Sequence, residues 1–110
     1  MLIYKIFRSP EWDAMQADGS TAGAPVDLAD GYIHFSTAET VAATTAKYFA
    51  GAEGLWLIAA DSAALEADLR WEPARGTLFP HLYRPFRMDD VVWARPLPLV
   101  DGAHRFPELS

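Results

Sequence analysis

Cysteine is absent from this chain of 110 residues, and that one absence excludes disulfide staples, thiolate nucleophiles and thiolate metal sites together. No apolar run approaches the roughly 20 residues that a membrane-crossing helix needs, because Asp, Glu, Arg or Pro interrupts each one. The opening run Met1 to Phe7 has no basic segment before it and no small-residue cleavage site after it, so it reads as a strand and not a signal. These features give the expectation of a cytoplasmic protein with no membrane partner. Gly-x-Gly-x-x-Gly, a P-loop, a Gly-x-Ser-x-Gly turn and close His-x-His or His-Glu-x-x-His spacings are also missing. Dinucleotide and P-loop binding by those routes, a serine elbow and a metal site are therefore not expected.

Positive charge is scarce as well: 9 Lys and Arg stand against 15 Asp and Glu, a net charge of −6. Bulk nucleic-acid binding relies on a basic face and is not expected. The charge is uneven, since residues 1–69 sum to −7 and residues 70–110 to +1. Arg70, Arg75, Arg84 and Arg87 gather in the later part around a histidine, and guanidinium groups recognise phosphate or carboxylate bidentately. A small anionic ligand is thus compatible with an acidic protein, as is the plainer reading of solvated arginines.

What is plentiful is apolar residues, 51% of the chain, enough for one domain to bury a core unaided. The expected organisation is a single α+β domain over residues 1–100 with a C-terminal tail over 101–110. Leu2 to Phe7 reads as a strand buried on both faces. Ser9 is expected to cap a helix over about residues 10–18 that Pro10 opens and Gly19 ends, burying Trp12 and Met15. Residues 19–31 read as a surface connection holding one helical turn at Val26 to Ala29. Tyr32 to Ser36 reads as a strand with Ile33 and Phe35 facing the core and Tyr32, His34 and Ser36 facing away.

Ser36-Thr37-Ala38-Glu39 matches a capping box for a helix running to about Ala50, with Val41, Thr45, Tyr48 and Phe49 on its buried stripe. Leu55 to Ala60 reads as a central strand, with Asp61 capping a turn after it, and Leu69 to Glu72 as a second, short one. Pro73 to Thr77 is expected as loop. Phe79 to Pro85 is held extended by its prolines, so that His81 and Tyr83 share a face. Val91 to Arg95 is the last expected strand, kept to an edge by Pro96 and Pro98.

Two segments could carry chemistry. Tyr32, His34 and Ser36 line one face of a strand that runs into a helix N-terminus, where free amides and the helix dipole favour an anion beside an imidazole. A satisfied histidine and a capping serine explain the same residues. Phe-Pro-His-Leu-Tyr presents His81 and Tyr83, both able to move protons, from a proline-stiffened backbone next to Arg84. Glu72, on a strand otherwise too apolar to need a carboxylate, could orient a ribose hydroxyl or a histidine, or pair with Arg70 or Arg75.

With these residues in view, the chain resembles the small bacterial domain-of-unknown-function family 952. The resemblance rests on Ile3-Tyr4, Trp12, Asp30-Gly31-Tyr32-Ile33-His34-Phe35-Ser36-Thr37, Leu69-Arg70-Trp71-Glu72 and Phe79-Pro80-His81-Leu82-Tyr83. That family is distantly similar to the ADP-ribosyltransferase superfamily, in particular the NAD-using RNA 2′-phosphotransferases, whose Val-His-Leu-Ser-like strand before a helix corresponds to Tyr32 to Ser36. Many relatives carry histidine on the first strand where this chain has Lys5. The resemblance implies a split, strongly bent sheet with two to three helices, NAD as the candidate cofactor, and a cleft lined by Lys5, His34, Ser36, Glu72 and His81.

Two functional readings follow. In the first, the protein is a transferase-type enzyme that binds a nucleotide or other phosphate-bearing ligand, with His34, Glu72 and His81 as catalytic residues and Lys5, Ser36, Thr37, Tyr83 and Arg84 holding the ligand. In the second, it is a non-catalytic module for a small anionic metabolite or a protein partner, and the histidines serve the fold.

Overall fold

A computed structural model describes residues 1–109. In chain order its elements are β1 (Leu2–Arg8), α1 (Ser9–Asp18), β2 (Ser20–Thr21), α2 (Pro25–Asp30), β3 (Ile33–His34), α3 (Val41–Tyr48), β4 (Leu55–Asp61), α4 (Ser62–Leu65), β5 (Leu69–Ala74), β6 (Thr77–Leu82), β7 (Phe86–Arg87), β8 (Val91–Leu97), β9 (Leu99–Val100) and β10 (Ala103–His104). The class is α+β, with all pairing antiparallel: sheets β1-β4-β8 and β3-β6-β5, and ribbons β2-β7 and β9-β10.

The two larger sheets meet at one short stretch. His34 pairs with His81 across β3 and β6, whereas Ser36, two residues on, exchanges both backbone hydrogen bonds with Tyr4 of β1 at 2.7 and 2.8 Å. A single extended segment therefore leaves one sheet and joins the other, and a concave space opens beside it. Alternation along β1 and β4 feeds two cores. Ile3, Phe7, Ile58 and Ala60 join Trp12, Met15, Ile33, Phe35, Leu82 and Phe86 in one. Tyr4, Ile6, Leu55, Leu57 and Ala59 join Val41 and Leu97 in the other. The continuous apolar run of β4 is explained by this, since it is the middle strand of its sheet and is covered on both faces.

Several expectations change. Ser9 is not the cap of α1 but its first residue; Glu11 supplies the cap by accepting the Arg8 amide at 2.8 Å, while the Ser9 hydroxyl donates to the Gly54 carbonyl. The capping box at Ser36 does not form, because the Ser36 backbone is already committed to β1. Helix α3 begins at Val41 instead, and Thr40 accepts the Thr37 amide through its hydroxyl at 2.9 Å. Val41 and Thr45 are buried as expected, but Tyr48 is 59% exposed and Phe49 lies just past the helix end.

Residues 73–77 form no loop: β5 and β6 are a hairpin in which Ala74 faces Thr77 across the tight turn Arg75-Gly76, both with positive φ. Residues 101–110, expected as a tail, carry β10, which pairs with β9 just before them, and Phe106 and Leu109 pack against the second core. The His104 ring also bonds the Ala52 carbonyl at 2.7 Å. No helix among the described residues is long and apolar enough to cross a membrane.

Candidate functional site

The site grows from Asp27, the third residue of α2. Its carboxylate accepts the Ala24 amide at 2.7 Å and so caps its own helix, and it accepts the His34 amide at 3.0 Å, tying α2 to β3. The same two oxygens take the Lys5 ammonium at 2.7 and 3.0 Å and the His34 Nδ1 at 2.6 Å. Gly23 makes this packing feasible: with φ of +112° and its α-carbon against the carboxylate, a β-carbon there would fall 2.4 Å from Asp27 Cβ.

Burial pushes the Asp27 carboxyl up, but the His34 hydrogen bond and the Lys5 charge outweigh it and hold its pKa below the usual aspartate value. For Lys5 the order reverses; burial lowers its pKa against the pull of Asp27. His34 has a second carboxylate, with Nε2 2.9 Å from Asp30 one helical turn back. Both ring nitrogens of His34 are thus occupied by aspartates, and neither is left open to a ligand.

His81 is built differently. It sits opposite His34 in the sheet, buried to 5% exposure, with its ring stacked on Tyr32 at 4.2 Å between centroids and 15° between planes. The His34 ring stands edge-on to it at 5.2 Å. Glu72 of β5 accepts from His81 Nδ1 at 2.9 Å, and its same oxygen accepts the Tyr83 hydroxyl at 2.5 Å. The Tyr83 and His81 hydrogen bonds hold the Glu72 carboxyl below its usual pKa, and the bond to Glu72 raises that of Tyr83. An ionised carboxylate only accepts, so the Glu72 contact puts a proton on Nδ1, and Nε2 is the ring nitrogen that Glu72 does not engage. Nε2 has no protein partner among the described residues and is not a sealed-off polar atom.

His34 and His81 share the wall of a cavity of about 700 Å³ at the junction of the two sheets, within the range of small-molecule sites. Tyr4, Phe35, Phe49 and Phe79 supply apolar surface, and Lys5, Arg8, Ser36, Thr44 and Arg75 supply polar groups. Of the residues expected from sequence, Lys5, His34, Ser36 and His81 line this cavity. Glu72 and Tyr83 stand behind His81. Thr37 and Arg84 lie elsewhere. Thr37 bonds Thr40 and borders a different, shallower depression, and Arg84 clamps Asp90 at 2.8 and 3.0 Å and Asp68 at 3.3 Å. Among the described residues no three His, Asp or Glu side chains converge as a cation site would require.

From sequence, Asp27, Arg8 and Thr44 have no assigned role, Asp30 appears only within the family-like stretch, and Arg75 appears as one of the clustered arginines. For Asp27 a signal exists in Ala24-Pro25-Val26-Asp27: proline opening a helix, with an acid at the third helical position, marks a self-capping carboxylate. Nothing local shows that Lys5 will be its partner.

The profile of the family described as "Protein of unknown function (DUF952)" matches residues 6–94. Among solved structures, the crystal structure of protein CC0527 from Caulobacter crescentus, a structural-genomics target, is 46% identical, with a TM-score of 0.91 over 96% of this chain and 94% of that one. The solution structure of CC0527 is 45% identical, with a TM-score of 0.84 over 94% of this chain and 90% of that one. No match was found among curated proteins.

Proposed function

The chain belongs to the DUF952 family of proteins of unknown function, and from that premise we propose that its cleft binds a phosphate-bearing, nucleotide-sized ligand and that His81 accepts a proton from a hydroxyl there. The observation that carries this reading is the Glu72–His81 pair. Glu72 fixes the ring through Nδ1 and stabilises the imidazolium that forms when Nε2 takes a proton, while Nε2 is the ring atom left without a protein partner at the cavity wall.

The resemblance to the ADP-ribosyltransferase superfamily supplies the ligand class, a ribose bearing phosphate. NAD itself fits poorly at one point. The first-strand position where those relatives offer histidine holds Lys5, whose ammonium is buried and bound to both oxygens of Asp27. The proton step assigned to His81 does not depend on that cofactor.

Calorimetry with ADP-ribose, NAD and a 2′-phosphorylated oligoribonucleotide, with conversion followed by ³¹P NMR, tests the proposal. Binding of at least one probe is expected, with conversion abolished by His81→Gln and binding retained. Binding without conversion in the parent protein would establish the non-catalytic module instead, and no heat at millimolar concentration with any probe would overturn the reading.

A further inference from the structure

The cavity wall has a second end, at the β5-β6 turn and the end of α3, and its cations differ from those around His34. Lys5 is neutralised by Asp27, His34 lies between two aspartates, and Arg84 is spent on Asp90 and Asp68 outside the cavity. Arg75 and Arg8 also line the cavity, yet neither forms an ion pair among the described residues. Arg84 is the one arginine in an ion pair among the described residues, so what sets Arg75 and Arg8 apart from the other unpaired arginines is that both line the cavity.

Arg75 sits in a backbone conformation that arginine does not favour. It occupies the turn with φ of +49°, where Asn or Gly is preferred and an arginine side chain adds strain. Its guanidinium lies over the Phe79 ring at 4.4 Å and donates to Thr44 Oγ1 at 3.0 Å. The Ser36 hydroxyl donates to that oxygen too, at 3.3 Å, so the proton of the Thr44 hydroxyl is left over for another acceptor. Arg75 reaches the Tyr48 ring at 5.6 Å and Arg8 the adjacent Phe49 ring at 5.0 Å, so both cations flank consecutive residues at one end of the cavity.

We propose that Arg75, with the Thr44 hydroxyl and Arg8, forms the phosphate subsite of the cleft, setting the ligand with its phosphate at the β5-β6 turn and its hydroxyl at His81. This rests on the cleft being a ligand site and adds the ligand's orientation. A guanidinium on an aromatic face, with most of its five donors free, suits a bidentate phosphate. The Arg84 assignment made from sequence moves to Arg75 accordingly.

The test uses the whole chain and Arg75→Asn, a residue suited to positive φ, so that the turn is kept and only the cation is lost. Calorimetry with ADP-ribose and with adenosine is run on the parent protein, Arg75→Asn and Arg84→Gln. ADP-ribose is expected to bind Arg75→Asn about ten- to hundredfold more weakly than the parent, with adenosine unaffected and Arg84→Gln equal to the parent for both probes. Equal ADP-ribose affinity in Arg75→Asn and the parent would overturn the subsite while the cleft reading stands. Absence of ADP-ribose binding by the parent would overturn the subsite, and the cleft reading with it where NAD and the 2′-phosphorylated oligoribonucleotide also give no heat.

Discussion

Asp27 is the residue on which the most interactions of the site converge, and its removal and that of Lys5 differ in a way that can be measured. Asp27→Asn leaves the Lys5 ammonium buried with no countercharge, a loss of about 3–5 kcal/mol. Lys5→Met leaves Asp27 its bonds to His34 and two backbone amides, so the cost should be less than about 2 kcal/mol. Urea unfolding of both variants checks the order, and an equal or larger loss for Lys5→Met contradicts it. The same carboxylate sets a pH dependence. Its folded pKa lies below its unfolded value of 3.8, so its contribution is complete above that value and is lost as pH falls through the lowered pKa. Unfolding free energies measured below about pH 4 should fall less steeply in Asp27→Asn than in the parent protein. At this scale the sequence made His34 and His81 visible through strand alternation and a proline frame. It hid their difference, because what distinguishes them is which carboxylate folds against which nitrogen, and Asp27 reaches His34 only through a connection that reads as surface loop.

Elements were legible where the local signal had no rival. The apolar run of β4, the Gly19 stop of α1 and the alternation of Ile33 and Phe35 all act through nearest neighbours or direct burial. Misreadings arose where a distant strand claimed the same backbone. Ser36 has the chemistry of a cap, but two hydrogen bonds to Tyr4 outcompete it, and α3 starts at Val41. Likewise Pro73 and Gly76 suggest a loop, whereas the pairing of β5 with β6 runs to Ala74 and Thr77. Glycines give a test at this level. Gly19 and Gly23 both have positive φ, but an added β-carbon meets nothing within 4 Å at Gly19 and meets Asp27 at Gly23. Gly19→Ala should cost about 1 kcal/mol, and Gly23→Ala clearly more, with loss of the Asp27–His34 contact visible as a shifted His34 resonance. Thermal unfolding of the two variants checks this, and similar melting temperatures would show that α2 adjusts freely.

Across the whole molecule, two sheets share the segment from His34 to Ser36, and the cavity exists because that segment changes partners between those residues. Single-domain α+β character was readable from composition and pattern, while the sheet junction depends on pairings between residues far apart in the chain and had no local trace. An acidic protein thereby carries a cleft lined by a glutamate-held histidine and by two arginines that form no ion pair among the described residues. Long-range ¹H–¹⁵N correlation spectra of the histidine rings, recorded with and without ADP-ribose, test this account most directly. The account predicts a His81 ring protonated at Nδ1, with an unprotonated Nε2 whose ¹⁵N shift moves on titration and whose tautomer preference weakens in Glu72→Gln. A His81 ring protonated at Nε2, or an Nε2 resonance unmoved by saturating ADP-ribose, would contradict it.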